Sequence, residues 1–297
     1  MDIKNFIVYF QLPISGQAQF QKDFKLNIFL KIGLSIIFVL AGFIVIIRMI
    51  ESKSIFFPTK YPDGQWETSG LNFNIENCWL KSADGLKLHG WFIPVAGSTK
   101  VLLWFHGNAG NLSHRLDNII MLQEVGVQQF ILDYRGYGRS EGTPEEQGMY
   151  LDAEAACNFL INKKGFAPEN IIIFGRSLGG GVAAELALRK PCGGLILEST
   201  FTSVGEIARK VVPFLPTTKI LKNKFDTLAK IRQIRIPVLV IHGLQDELIP
   251  YENGEKIFTT ANKPKYFYPV NAGHNDLYFR GGKPYLNRIK QFAATLQ

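Results

Sequence analysis

From about residue 72 onward, short apolar blocks alternate with longer stretches of mixed polarity. The apolar runs lie at Val101–Phe105, Val127–Leu132, Asn170–Phe174, Gly194–Leu197, Val238–Ile241 and Tyr266–Val270. Amphipathic stretches such as Pro144–Leu160 and Glu252–Thr260 separate most of them. Short buried strands that alternate with helices are typical of a mainly parallel sheet with helices on both faces. The pattern therefore predicts an α/β fold.

A hairpin is predicted ahead of this alternation. The segments Asn72–Lys81 and Leu86–Ile93 flank the turn residues Ser82-Ala83-Asp84-Gly85. An Asp-Gly pair between two apolar-rich runs is a strong signal for a tight antiparallel turn. We expect the hairpin to add antiparallel strands at one edge of the sheet.

The longest interval without a predicted strand is 200–236. It contains Pro213 and Pro216, and no acidic residue lies between Arg209 and Lys224. We predict a small cap-like insertion above the carboxyl edge of the sheet. Its mixture of apolar residues and lysines is compatible with contact to lipid or acyl chains. An ordinary amphipathic helix with one solvated face is the alternative, and the sequence slightly favours it.

The N-terminal region carries an uncharged run of sixteen residues, Ile32–Ile47, with Lys31 and Arg48 at its ends. About twenty apolar residues span a bilayer, and basic side chains near the ends reach the headgroups. We predict an N-terminal tail at 1–25, a transmembrane anchor at 26–50, a juxtamembrane linker at 51–71 and the main domain at 72–297. A buried core helix and a cleaved export signal are the alternatives.

The expected localisation is therefore a membrane with a single span. Basic residues are balanced on the two sides of the apolar run, so the side on which the main domain lies stays open. The formal net charge is +8, and its density is highest in the first 60 residues. No basic tract or aromatic-basic module is present, which excludes nucleic acid as an expected partner. Anionic lipid suits this charge better.

The chain has 46% apolar residues, enough for a sizeable core, and three cysteines. Cys78, Cys157 and Cys192 are far apart and odd in number. Such spacing predicts neither a disulfide framework nor a zinc site. We expect buried, unreactive thiols.

A candidate nucleophile lies in Gly175-Arg176-Ser177-Leu178-Gly179, between a predicted strand and a predicted helix at Gly180–Arg189. Small residues two positions before and after a serine permit a sharp strand-to-helix turn, which exposes the hydroxyl at the top of a sheet. A serine hydroxyl needs a base within hydrogen-bond reach, and the base needs an orienting acid.

Two loops at the carboxyl ends of later strands supply the partners. His274 follows the last predicted strand and is the expected base, and Asp246 follows the strand before it and is the expected acid. The chain order Ser177, Asp246, His274 is the order found in α/β hydrolases. Glu198 ends another predicted strand and is the second candidate for the acid. Asp133 is interpreted as a structural residue beside a glycine-rich turn.

Backbone N–H groups are expected to bind the developing oxyanion. We predict the N–H of Leu178, directly after the nucleophile, and the N–H of Asn108 in His106-Gly107-Asn108-Ala109-Gly110-Asn111. This glycine-containing loop has no downstream Lys-Ser/Thr pair, so nucleotide binding is not expected. No cofactor and no metal are predicted. Arg176 either pairs with Glu198 or binds an anionic group, and a structural role is favoured.

Several stretches together resemble the α/β-hydrolase superfamily. They are Phe105–Asn111, Asp133–Gly142, Phe174–Gly180, Glu198–Ser203 and His242–Asp246. The chain is most similar to a membrane-anchored branch, the α/β-hydrolase domain-containing protein 13 type, and to its type 17 depalmitoylase relatives. The resemblance implies a cofactor-free serine hydrolase with the roles given above. Type 17 relatives are tethered by N-terminal cysteines, whereas no cysteine here precedes Cys78, so we expect the apolar helix to replace that tether.

The predicted function is a membrane-anchored serine hydrolase of carboxylic esters or thioesters. A lipid or acylated substrate is the hypothesis that follows from anchoring. The alternatives are a serine aminopeptidase of the same fold and a non-catalytic, membrane-tethered binding module. The sequence leaves the acyl chain, the leaving group and the oligomeric state open.

Overall fold

A computed structural model of the protein describes residues 14–296. Residues 1–13, the first part of the predicted tail at 1–25, lie outside the described residues, as does residue 297. The chain divides into two units between Ile50 and Glu51.

The described residues of the first unit lie in helix α1, which spans Ile14–Ile55. The predicted anchor at 26–50 lies inside α1, but the helix is longer at both ends. No proline interrupts the sequence between residue 13 and Pro58, so nothing forces the helix to end sooner. Within the part of the chain that the structure describes, one helical stretch, Gln21–Ile55, is long and apolar enough to cross a membrane by length and composition, a test that a signal sequence also passes.

The second unit contains the strands, which lie at Phe57–Pro58 (β1), Glu76–Lys81 (β2), Lys87–Ile93 (β3), Val101–Phe105 (β4), Ala109–Gly110 (β5), Gln128–Leu132 (β6), Ile171–Arg176 (β7), Gly194–Glu198 (β8), Val238–Gly243 (β9) and Lys265–Val270 (β10). Eight of them form one sheet in the order β10-β9-β8-β7-β4-β6-β3-β2. The pairs β2–β3 and β3–β6 are antiparallel and the other neighbours are parallel. The predicted α/β fold, with the hairpin at one edge, is confirmed.

The helices of this unit are Leu116–Leu122 (α2), Glu146–Asn162 (α3), Leu178–Arg189 (α4), Val204–Val211 (α5), Thr217–Ile220 (α6), Thr227–Ile231 (α7), Glu252–Thr260 (α8) and Leu277–Thr295 (α9), with single 3₁₀ turns at Leu112–Arg115, Gln123–Val125 and Pro168–Asn170. Three of them, α5 to α7, occupy the predicted insertion at 200–236, which joins β8 to β9. No strand is assigned between residues 200 and 236, all of which the structure describes.

Alternating residues of the central strands supply a core on each face of the sheet. In β4, Val101, Leu103 and Phe105 pack in one buried cluster. Leu102 and Trp104 pack in the other. Because successive side chains of a strand point to opposite faces, a strand covered on both faces must be apolar throughout. This explains why β4 appears in the sequence as an uninterrupted apolar run.

Residues 51–71, predicted to be a linker, belong to the second unit, and contacts near the start of this segment attach it to the rest of that unit. Phe56 is buried, and β1 pairs in parallel with β5. Full burial of a phenylalanine contributes about 2 kcal/mol, which favours ordering this segment over leaving it in water. The Glu51 carboxylate also accepts hydrogen bonds from the backbone N–H and the side-chain amide of Asn223, at 2.6 and 2.9 Å.

Candidate active site

Ser177 lies on a sharp turn between β7 and α4. Its φ is +53°, a conformation that is costly for a residue with a side chain. The flanking glycines permit this turn. A Cβ at Gly175 would lie 2.5 Å from Ala183 Cβ, and a Cβ at Gly179 would overlap the backbone carbonyl of Phe105. The spacing of the motif therefore reflects close packing of the turn against α4 and β4.

The loop after β10 brings His274 to this serine. His274 Nε2 lies 3.2 Å from Ser177 Oγ, and Nδ1 lies 2.8 Å from Asp246 Oδ2. An ionised carboxylate can only accept hydrogen bonds, so the imidazole proton lies on Nδ1 and the serine hydroxyl donates to Nε2. The structure thus places the three predicted side chains in one hydrogen-bonded chain.

The other carboxylate oxygen of Asp246, Oδ1, fixes the side chain to the backbone of its own loop. Oδ1 accepts hydrogen bonds from the backbone N–H groups of Leu248 and Ile249, at 3.1 and 2.7 Å. Burial alone would raise the pKa of the Asp246 carboxyl, but the hydrogen bond from His274 and the backbone donors outweigh it and hold the pKa below its ordinary value. The carboxylate is therefore ionised at neutral pH and faces the imidazole.

Glu198, the second candidate for the acid, is buried and contacts a different set of residues. Its Oε1 lies 3.1 Å from Arg176 Nε, and its Oε2 accepts a hydrogen bond of 2.5 Å from the Tyr285 hydroxyl. Burial raises the pKa of the Glu198 carboxyl, and the positive charge of Arg176 opposes that rise in part. Of the two acidic candidates, Asp246 is the one that meets the ring of His274. The predicted pairing of Arg176 with Glu198 is present.

Asp133 lies apart from this chain, in agreement with a structural role. Its Oδ1 accepts a 2.7 Å hydrogen bond from the backbone N–H of Leu112, at the start of the turn that follows β5. Its side chain is fully buried beside His89 and His106, at 3.9 and 3.5 Å. These contacts brace the loop that follows β4.

The predicted oxyanion loop runs beside the serine. A Cβ at Gly107 would lie 3.5 Å from Ser177 Cβ, which is ordinary contact distance. The Asn108 side chain is engaged elsewhere, since its amide donates to the carbonyl of Ile55 at 3.0 Å. The Asn108 carbonyl accepts from the backbone N–H of Phe57 and from the Tyr137 hydroxyl, at 3.1 and 2.7 Å.

Leu178 is the first residue of α4. The first N–H groups of a helix have no intrahelical acceptor, so this N–H is available to an oxygen beside Ser177. Leu178 therefore directly follows the nucleophile, and the loop that contains Asn108 approaches Ser177 at Gly107.

Sequence reasoning missed two groups that hold the backbone of His274. Its N–H donates to Glu247 Oε2 at 3.2 Å, and its carbonyl accepts from Arg176 Nη2 at 2.7 Å. Nothing in the spacing signals Glu247. For Arg176, the position directly before Ser177 is the only signal, because it places the side chain at the same edge of the sheet as the base.

An eight-stranded, mainly parallel sheet with a serine on a tight strand-to-helix turn is the architecture of α/β hydrolases. Comparison with known proteins agrees. The family described as serine aminopeptidase matches residues 97–229. An esterase of Pyrococcus furiosus superposes with a TM-score of 0.66 at 22% identity, covering 82% of this chain and 98% of the esterase.

Curated relatives cover most of the chain. The α/β hydrolase domain-containing protein WAV2 of Arabidopsis thaliana is 38% identical over 244 residues, which are 75% of this chain and 79% of that protein. A protein of Mycobacterium tuberculosis is 34% identical over 257 residues, which are 86% of this chain and 91% of that protein. The chain belongs to the α/β-hydrolase family.

Proposed function

We propose that the protein is a membrane-anchored serine hydrolase that cleaves carboxylic ester or thioester bonds. The observation that carries the proposal is the chain Ser177 Oγ, His274 and Asp246, with its contacts of 3.2 and 2.8 Å. A hydroxyl, an imidazole and a buried carboxylate in this order form a nucleophile, a general base and an orienting acid.

In the first half of the reaction, Ser177 Oγ attacks the acyl carbonyl while His274 Nε2 takes the hydroxyl proton. Asp246 stabilises the imidazolium that forms and fixes its tautomer. The N–H groups of Leu178 and Asn108 bind the oxyanion, and each contributes about 3 kcal/mol to lowering the barrier. His274 then protonates the leaving alcohol or thiol, and an acyl-enzyme remains.

In the second half, His274 removes a proton from water, which attacks the acyl carbonyl. The tetrahedral intermediate collapses, the carboxylic acid leaves and the proton returns to Ser177 Oγ. Every proton transfer uses the one imidazole. The mechanism therefore needs no cofactor.

A fluorophosphonate probe tests the nucleophile, because it forms a covalent bond with an activated serine. We expect the wild-type chain to be labelled on Ser177 and Ser177→Ala to lose both the label and ester hydrolysis. Ser199 offers a matched control, since it also follows the end of a strand, has a φ of +41° and is buried. Labelling that persists in Ser177→Ala would refute the proposal, and Ser199→Ala should still be labelled.

The alternative function, a serine aminopeptidase, is favoured by the description of the family that matches residues 97–229. A serine aminopeptidase must also bind the free amine of its substrate. Apart from Asp246, which holds the imidazole, Glu247 is an acidic side chain in contact with His274, but its Oε2 already accepts the His274 N–H. We therefore expect acyl esters to be cleaved at least ten times faster than aminoacyl arylamides. The reverse preference would establish the aminopeptidase.

Anchoring by α1 is part of the proposal, with the side of the membrane left open. The long apolar stretch Gln21–Ile55 supports it, and so do the basic residues near its ends. Resistance of the full chain to alkaline extraction from membranes would support a span. A mature protein whose mass shows loss of the apolar segment would instead identify an export signal.

A lipid or acylated substrate is proposed from the surface of the insertion at 200–236. Phe214 and Val211 are 93% and 78% exposed there. Lys210, Lys219 and Lys224 are also exposed, and among the described residues their ammonium groups form no ion pair, unlike that of Lys222. Apolar side chains among basic ones suit an interface with acyl chains and anionic headgroups. Rates on esters of increasing chain length test this, and a preference for acetyl esters would contradict it.

Within the family, we propose a place in the membrane-anchored type 13 branch rather than among the type 17 depalmitoylases. The motifs shared with both branches and the apolar α1 support this. The first cysteine of the chain is Cys78, on strand β2. Protein depalmitoylation is therefore not the activity we expect first. Hydrolysis of an S-palmitoylated peptide, compared with that of a long-chain oxygen ester, distinguishes the branches.

A further inference from the structure

Arg176 links the strand that carries the nucleophile to the loop that carries the base. It is the last residue of β7, directly before Ser177, and it is buried. Its Nη2 donates to the backbone carbonyl of His274 at 2.7 Å and to Asn275 Oδ1 at 3.3 Å. The side chain thus spans from the elbow to the loop after β10.

The other side of the guanidinium is held by α9 and β8. Arg176 Nε lies 3.1 Å from Glu198 Oε1, and Glu198 Oε2 accepts from the Tyr285 hydroxyl at 2.5 Å. The guanidinium also lies 5.2 Å from the centre of the Tyr278 ring. With these partners the buried guanidinium is fixed against the backbone of the His274 loop.

Stability alone does not account for this arrangement. Burying a charged pair costs several kcal/mol per ion in desolvation, and apolar replacements of buried pairs are often neutral or stabilising. A positioning requirement does account for it. The Ser177 Oγ to His274 Nε2 distance of 3.2 Å is already at the long end for an O–H···N contact. A small shift of the loop therefore breaks the proton-transfer path.

We propose that Arg176 is a positioning residue, which fixes the His274 loop relative to the Ser177 elbow through the backbone carbonyl of His274. The inference rests on the proposed serine mechanism. Three groups then restrain the base: Asp246 holds the ring, Glu247 holds the N–H and Arg176 holds the carbonyl. Arginine suits the task because its planar fork serves Glu198 and the loop at once, whereas a lysine ammonium is a single point.

The test compares Arg176→Met and Arg176→Lys with the wild type, as full chains in detergent. For Arg176→Met we expect kcat on a chromogenic ester to fall by roughly 10- to 100-fold, the usual cost of displacing a catalytic group by about 1 Å. KM should change little, because Arg176 is buried and its guanidinium is engaged by protein groups. Arg176→Lys should recover the thermal midpoint but not kcat, since it cannot reach both partners.

A second readout follows the base itself. We expect the proton on His274 Nδ1, which is hydrogen-bonded to Asp246 Oδ2, to give a far-downfield NMR resonance that reports the geometry of that pair. We expect this resonance to shift or broaden in both Arg176 variants. Arg189→Met is the matched control, because Arg189 also forms two ion pairs, with Glu154 and Glu185, but at the far end of α4. It should retain wild-type kcat and the same resonance.

The results distinguish failure of the positioning role of Arg176 from failure of the serine mechanism. Wild-type kcat and an unmoved resonance in Arg176→Lys and Arg176→Met, with only a lower thermal midpoint, would show a purely structural residue and overturn the positioning role. If Arg176→Met does not fold, Arg176→Lys alone decides. Absence of fluorophosphonate labelling in the wild type would instead refute the serine mechanism.

Discussion

Replacing Asp246 with asparagine removes the charge of the orienting acid and leaves its shape. In the wild type, Oδ1 accepts two backbone N–H groups, at 3.1 and 2.7 Å, and Oδ2 faces His274 Nδ1 at 2.8 Å. The amide oxygen of the asparagine keeps the two backbone donors, because turning the amide would set its NH₂ group against both. The NH₂ group must then face His274 Nδ1.

This orientation has a defined chemical cost. An NH₂ donor at Nδ1 requires the tautomer with its proton on Nε2, so the imidazole can no longer accept the hydroxyl proton of Ser177. In serine proteases the equivalent change lowers kcat about 10⁴-fold. We expect a loss of 10³- to 10⁴-fold here, equivalent to about 4 to 5.5 kcal/mol of transition-state stabilisation.

The assay is kcat on a chromogenic ester together with the rate of fluorophosphonate labelling, both of which depend on the activated hydroxyl. Asp276→Asn is the comparison, because Asp276 lies two residues from His274 but pairs with the Gly273 N–H and with Arg280. It should retain activity within about ten-fold. An Asp246→Asn variant that is folded and equally active would refute the assignment of the acid.

Three further predictions concern stability and reactivity. Gly179→Ala should lower the free energy of unfolding by about 1 to 3 kcal/mol in urea titrations, because the added methyl overlaps the Phe105 carbonyl. A neutral effect would contradict the close packing of the turn at Ser177. The hydrogen bond from Arg135 lowers the pKa of Asp84 to about 2, so its stabilisation is complete above pH 3.8 and is lost toward pH 2. Asp84→Asn should remove that part of the pH dependence of the free energy of unfolding. The contribution is less than about 1 kcal/mol because the group is half-exposed, and an unchanged acid profile would count against it. Burial raises the pKa of Cys157 to about 11, so this thiol should react with a disulfide reagent only after unfolding, and fast reaction of the native protein would be unexpected.

The central strands were predictable because both of their faces are covered. A strand such as β4 has no solvated side, so its sequence is apolar throughout and its limits are those of the run. The predicted hairpin is present for a related reason, since the Asp-Gly pair at Asp84 and Gly85 specifies the turn locally. Its first strand begins at Glu76 rather than at residue 72, where no partner strand remains.

The choice of acid could not be made from spacing alone. Glu198 and the loop of Asp246 both lie at the carboxyl edge, at the ends of neighbouring strands β8 and β9. Which carboxylate meets His274 depends on the face toward which each side chain points and on the basic partner already beside it. Arg176 engages Glu198. That contact joins residues 22 positions apart, and no local pattern encodes it.

The two-residue pairing of β1 with β5 was also invisible in the sequence, because each strand is too short to show a period. It has a practical consequence for preparing a soluble enzyme. A fragment starting at residue 72 would lack Ile55 and Phe57. The Ile55 carbonyl accepts from the Asn108 side-chain amide, and the Phe57 N–H donates to the Asn108 carbonyl. Proteolytic cleavage anywhere between residues 60 and 71 would remove the same contacts. We therefore expect such cleavage to release the domain in an inactive form.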